Sequence, residues 1–196
     1  MLVNVSEYCT ALLQEYCARY PFHNLTHTKE VVENVQIIGQ QLGITPAELE
    51  PVIIAAWFHD TGFKEAYDGH EAVSIRLATD FLRSKGYPEK ELVIVINCIE
   101  STRMPQQPSG KLAEIIADAD IFHISNQHFF YRKLLLRREW EIVYDKYYSD
   151  YEWHVLNLQF LLGHQFFTAC GKQLLMDGQH MNERKMRQLI SYFPTP

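Results

Sequence analysis

The sequence predicts an all-α fold, an irregular helical bundle, and three observations carry that expectation. Apolar residues recur at three- and four-residue steps along most of the chain, and a helix-capping signature stands at Thr45–Glu48. The run that could pass for a buried strand, Leu92 to Ile99, is rich in β-branched residues but has no partner strand, so it too is read as helix.

Taken in order, Val31, Val32, Val35, Ile38 and Leu42 form the first apolar stripe, and Gly43 is placed to end it in the left-handed cap conformation. Thr45-Pro46-Ala47-Glu48 reads as a capping box with proline at the first helical position. The helix it opens runs through Leu49, Val52, Ile53, Ala56 and Trp57 towards His59-Asp60, with Thr61-Gly62 as its stop. A further helix is expected over His70 to Leu82, with Val73, Leu77, Ala78 and Phe81 inward. Gly86-Tyr87-Pro88 punctuates the chain before a helix over Glu89 to Ser101. Pro105 and Pro108 mark a loop, and Lys111 to Ile121 resumes the helical pattern. Two long helices, Gln127 to Tyr147 and Tyr151 to Leu175, precede a short one near Glu183 to Ile190. No repeat or Pro/Gly/Ser-rich linker divides the 196 residues. They are read as one domain, with a motif-bearing core over about residues 20–125 and C-terminal helices over about 126–192.

Composition narrows the partners. The chain is 47% hydrophobic and 21% charged, which is ordinary for a globular protein. Its net charge of −6 lacks the positive surface that long nucleic acid requires. Small anions stay in play, because a bound metal reverses the local sign of charge. Cys9, Cys17, Cys98 and Cys170 form no C-x-x-C pair and read as reduced, mostly buried thiols. The N-terminal MLVNVSEYCT is not a basic leader followed by an apolar run, and no stretch approaches the roughly 20 apolar residues that span a bilayer. The expectation is a cytoplasmic protein with no membrane partner.

Three clusters carry metal-type ligands: His23-Asn24-x-x-His27, His59-Asp60 and Asp118-x-Asp120. Imidazole and carboxylate together suit first-row divalent ions, and a site with open positions admits water or substrate. Ile53 to Phe58 is an apolar run that ends in His59-Asp60. A carboxylate beside such a core is costly unless it is paired or binds a metal.

The order H…HD…D resembles the HD superfamily of metal-dependent phosphohydrolases. The resemblance extends to Phe58-His59-Asp60-Thr61-Gly62-Phe63, Tyr67-x-x-His70-Glu71-x-x-Ser74 and Ile116-Ala117-Asp118-Ala119-Asp120, which are similar to a bacterial branch of predicted HD hydrolases. It covers about residues 20–170, including Trp153 and the Phe160-Leu161-Leu162-x-His164 run. The implied metal ligands are His27, His59, Asp60 and one later aspartate. Residues two apart on a helix point about 200° apart, so Asp118 and Asp120 do not both reach one ion. Asp120, followed by Ile121-Phe122, aligns better with the family's aspartate, and Asp118 stands as the alternative.

Phe22-His23-Asn24-x-x-His27 is also similar to an element of cyclic-nucleotide phosphodiesterases, an HD branch. That likeness implies His23 as the general acid for the leaving oxygen, beside the catalytic centre at Asp60, and imidazole suits the task at neutral pH. If helix continues through both, His23 and His27 share one face. The competing reading has His23 merely capping or packing near Pro21. His70 and Glu71 are candidates for orienting the centre or for holding a second metal. However, Cys98 to Arg103 occupies the region where a dinuclear site or an iron oxygenase would need another histidine. Asp68 and Glu71 equally suit the start of a helix.

Lys64 and Arg103 are the candidate phosphate-binding cations, with solvated surface charge as the plainer reading. The Arg132-Lys133…Arg137-Arg138 run is expected to be solvated. Tyr131, Trp140, Tyr144, Tyr147 and Tyr148 are expected in core or homodimer packing, and Trp153, Leu156, Phe160 and His164 have core spacing. The resemblance implies one divalent ion (Mn²⁺, Fe²⁺, Co²⁺, Ni²⁺, Zn²⁺ or Mg²⁺) and hydrolysis of a small phosphate ester, a nucleotide above all, by metal-activated water. The alternatives are an HD-fold nucleotide-binding regulator without turnover and, further off, a di-iron oxygenase.

Overall fold

The computed structural model describes residues 1–194, which hold ten α-helices and two 3₁₀ turns. The helices are α1 (Leu2–Tyr16), α2 (Leu25–Gln41), α3 (Pro46–Phe58), α4 (His70–Ser84), α5 (Glu89–Glu100), α6 (Lys111–Asp120), α7 (Phe129–Tyr144), α8 (Asp150–Gly163), α9 (Ala169–Leu174) and α10 (Met176–Ile190). The 3₁₀ turns are Thr61–Lys64 and Phe122–Ser125. No described residue is in a strand, so the helical reading of Leu92 to Ile99 holds. No described helix is long and apolar enough to cross a membrane.

The chain divides into two compact units, Met1–Asp120 and the remainder from Ile121. In the first unit α3 is central and packs on α1, α2, α4, α5 and α6. Leu49, Pro51 to Ala56 and Phe58 are all buried, which is what an axis apolar on every side demands. Its start is fixed by the expected capping box, in which Thr45 and Glu48 bond reciprocally to each other's backbone. The preceding helix ends where the sequence placed its stop, with Gly43 at φ +66°.

The C-terminal end of α3 is held by a short clamp. The Gly62 N–H donates to Ser74 Oγ at 2.8 Å, and the Ser74 hydroxyl donates to the His59 carbonyl at 2.6 Å. Gly62 has to be glycine, since a Cβ there would lie 1.9 Å from the His70 carbonyl oxygen. α4 therefore seats its first turn directly on the His59–Gly62 backbone.

The second unit departs from expectation in several places. The single helix expected over Tyr151 to Leu175 is two, α8 and α9. Gln179 Nε2 donates to the carbonyls of Leu161 and His164, satisfying acceptors that a continuing helix would have used, and Thr168 caps α9 through Gly171 N. The expected short helix near Glu183 begins earlier, at Met176, and α7 spans Phe129–Tyr144 rather than Gln127 to Tyr147. The apolar core of this unit is Ile121, Ile124, Phe129, Leu161, Phe166, Leu175 and Met186. Trp153 is buried as expected, but Phe160 is exposed, as are Tyr131, Tyr144 and Tyr147.

Arg132 and Lys133 are buried rather than solvated, whereas Arg138 is exposed and pairs with Glu141. Lys133 Nζ contacts His154 Nδ1 at 3.1 Å, and burial, aided by Arg137, pushes its pKa down to about 8. All four cysteines are buried thiols outside any disulfide, as expected, and burial pushes the Cys98 thiol up to about 12.

Two outcomes are expected. Gly62→Ala should cost about 2–3 kcal/mol by overpacking backbone on backbone, and Ser74→Ala about 1–2 kcal/mol by stranding the Gly62 N–H. Denaturant unfolding checks both, and wild-type midpoints would refute the clamp. Lys133 is depressed in the folded state, so between pH 8 and 10 the unfolded chain binds more protons and stability rises with pH. Relative to Lys133→Met, the wild type should gain roughly 1–2 kcal/mol from pH 7 to 9.5; parallel stability curves would show that the ammonium is not desolvated.

Candidate metal centre

His27 enters through the start of α2. Asn24 caps that helix in extended backbone (φ −141°, ψ −178°), and its side chain accepts from the N–H groups of Thr26 and His27 at 2.9 and 3.4 Å. Its Nδ2 donates back to the carbonyls of Tyr20 and Pro21, tying the incoming chain to the helix. His23 therefore precedes the helix rather than sharing a helical face with His27, which corrects the expectation. The turn still brings the rings together: His23 lies 5.8 Å from His27 between centroids and stacks on Phe63 at 4.6 Å. Phe63 stacks on His70 at 3.8 Å on an interplanar angle of 17°.

His59 is the C-cap of α3, and Asp60 follows it. His59 Nδ1 donates to the Ala56 carbonyl at 2.8 Å, which leaves Nε2 as a lone pair. That atom lies 3.2 Å from Asp60 Oδ2 and 3.6 Å from Asp120 Oδ1. His27 Nε2 stands 3.1 Å from Asp120 Oδ1 and 3.5 Å from Asp60 Oδ2. The ligand atoms of His27, His59 and Asp60 all fall within 4.8 Å of one another, and all three residues are buried. Asp120, the last residue of α6, closes the group, and Asp118 is fully buried on the same helix.

Two atoms show that this donor set suits a cation. His59 Nε2 and Asp60 Oδ2 are buried with no hydrogen-bond partner among the described residues, although they face each other. Lone pairs and carboxylate oxygens aimed at one point repel unless positive charge stands between them. The electrostatics agree. Burial works against charge on every member, and for His27 it prevails and lowers the pKa despite Asp120 and Asp60. At His59 burial is overcome by Asp60 and Asp120, which raise the imidazole well above its usual range. Asp60 is held well below the carboxylate range, since His59 and His70 outweigh burial, and Asp120 is likewise depressed by His27 and His59. The surroundings thus favour the ionised form of both carboxylates, and the charge that would answer them is a proton on His59 or a metal ion that releases it.

Around this centre His70 Nε2 lies 3.5 Å from Asp60 Oδ1 and 4.0 Å from Glu71 Oε1, with His70 Nδ1 bonded to the Tyr67 carbonyl. Glu71 falls in the first turn of α4 as expected, but it is buried. Arg103 reaches Glu71 at 3.4 Å while its Nε holds Glu100 at 2.8 Å. Lys64 is placed elsewhere, its ammonium over the Tyr16 ring at 4.7 Å. Cys98, where a further ligand would be sought, is a buried free thiol. One residue that pattern did not flag touches the group: Gln106 Nε2 lies 3.3 Å from Asp120 Oδ2. A glutamine in a proline-bearing loop carries no spacing signal.

Comparison with known proteins agrees with this geometry. The family model for the HD domain matches residues 24–125. A solved structure from an uncultured Thermotogales bacterium, described as a predicted HD superfamily hydrolase, superposes with a TM-score of 0.65 at 18% identity, covering 96% of this chain and 92% of its own. A structural-genomics structure from Lactobacillus plantarum gives a TM-score of 0.71 at 15% identity, covering 97% and 95%. At such identities the likeness speaks to the fold alone. No curated protein matches the chain. With the family model spanning more than half of the chain and every candidate ligand, the chain belongs to the HD-domain superfamily of metal-dependent phosphohydrolases.

Proposed function

We propose that this protein hydrolyses a small phosphate ester, a nucleotide mono- or diester, at one divalent ion held by His27, His59, Asp60 and Asp120. The observation that carries the reading is the convergence of two imidazole Nε2 atoms and two carboxylates on one buried point. Asp120 is preferred to Asp118 because its Oδ1 lies within 3.6 Å of both ligand histidines.

A divalent ion there supplies Lewis acidity and lets water act as a nucleophile near neutral pH. His59 keeps Nε2 free for it because Ala56 fixes the tautomer. Asp60 is aligned by His70, and Phe63 holds the His70 ring flat. His23, partly exposed beside His27 and stacked on Phe63, is placed to give a proton to the leaving oxygen. Arg103 reaches the Glu71 edge of the centre and is suited to meet a phosphate there, whereas Lys64 is engaged with Tyr16. The net charge of −6 disfavours long polyanions and leaves small anions, whose charge the metal and Arg103 meet locally.

Protein purified without chelator should carry a divalent metal and release phosphate or nucleoside from some member of a panel of mono-, di- and cyclic nucleotides. Asp60→Ala should lose both metal and turnover. Full metal content in that variant would overturn the ligand set, whereas metal and tight nucleotide binding without turnover would indicate a sensor. Oxygen consumption with two irons would indicate an oxygenase. His23→Ala should keep its metal yet lose about 100-fold in kcat on substrates with poor leaving groups. Unchanged kinetics would return His23 to a packing role.

A further inference from the structure

We infer that Gln106 is a positioning residue which fixes Asp120 as a one-oxygen metal ligand, an inference that rests on the metal-binding reading above. Gln106 is 9% exposed and lies in the loop between α5 and α6. Its Nε2 donates to the Ala117 carbonyl at 3.2 Å and to Asp120 Oδ2 at 3.3 Å. Both acceptors fix the amide orientation, because only the NH₂ end serves two of them at once. The Ala117 carbonyl belongs to the last turn of α6, where helical partners run out, and Asn34 Nδ2 takes the Ala119 carbonyl of the same turn at 3.1 Å. The end of α6 is therefore held from two sides, and Gln106 alone extends that hold to a carboxylate oxygen.

The consequence is a division of labour within Asp120. Oδ2 is occupied by the amide, and Oδ1 is left facing His27 Nε2 at 3.1 Å and His59 Nε2 at 3.6 Å. Without the amide, the carboxylate is free to turn about its terminal torsion and present both oxygens. Gln106 Oε1, meanwhile, is buried with no hydrogen-bond partner among the described residues. Burying an unpaired amide oxygen costs free energy, so stability alone gives no reason for glutamine here. What its NH₂ does for Asp120 does.

The test uses Co²⁺ with the full-length protein, affinity being read by competition with a chelator and ligand number by visible absorption. Gln106→Met, which keeps length but removes the amide, should weaken Co²⁺ binding by about 10–100-fold. It should also dim the absorption bands as Asp120 turns to offer both oxygens. In an Asp120→Ala background the same substitution should produce no further loss, because its effect runs through that carboxylate. Should Gln106→Met not fold, Gln106→Asn retains polarity but falls short of Asp120, and the same comparison applies. Wild-type affinity and spectrum in these variants, or an equal loss in the Asp120→Ala background, would overturn the inference. Asp120→Ala with undiminished Co²⁺ binding would instead defeat the ligand reading on which it rests.

Discussion

Asp60 and Asp120 both stand at helix C-termini, where the backbone itself presents negative charge. Two ionised carboxylates are thus brought together at the negative ends of α3 and α6, inside an apolar unit, the arrangement least tolerable for an anion. Positive charge at that point is a requirement of the fold as much as of the chemistry. The histidines answer it in graded fashion. His59, with its Nδ1 committed to Ala56, sits closest to Asp60, and His27 reaches Asp120 from the opposite helix end. An inward-facing cation satisfies all four at once, which no single proton does.

The scaffold around this point is built to keep the groups from relaxing apart. α3 is buried continuously from Pro51 to Ala56 and again at Phe58, packed on five neighbouring helices. The Gly62–Ser74–His59 clamp removes the freedom of the turn that carries the carboxylate. Asn24 does the same at the start of α2 and Gln106 at the end of α6. Each candidate ligand is thus held by a neighbour that is itself polar, buried or partly so, and bonded to backbone, the kind of support a pre-formed site needs.

Much of this was legible in the sequence because the first unit obeys local rules. Periodicity and caps located α2 to α6 closely, since their apolar stripes and their Thr45, Gly43 and Pro88 signals agree with the packing they meet. The sequence order of the candidate ligands was legible as a motif, and the structure brings His27, His59, Asp60 and Asp120 together at helix ends. What was missed lies where long-range contacts decide. The break between α8 and α9 follows from Gln179 capturing two carbonyls from 15 and 18 residues away, with no local proline to announce it. Lys133 is buried where α8 meets α7, with the Trp153 indole N–H donating to its backbone carbonyl and His154 Nδ1 facing its ammonium, which a basic run on α7 does not reveal. His23 reached His27 through a turn, not a helix, so the right neighbours came by a different path. α1 was not read at all, although its buried Val5, Cys9 and Leu13 keep helical spacing.

The contact between His27 and Asp120 joins residues 93 apart in sequence. An ion shared by those two side chains would join the ends of most of the first unit, and because the site is assembled only on folding, its binding free energy would add to the stability of the folded chain. Held so, an ion would make the centre a fastening as well as a place of reaction, and its loss would lower the stability of the folded unit together with its turnover.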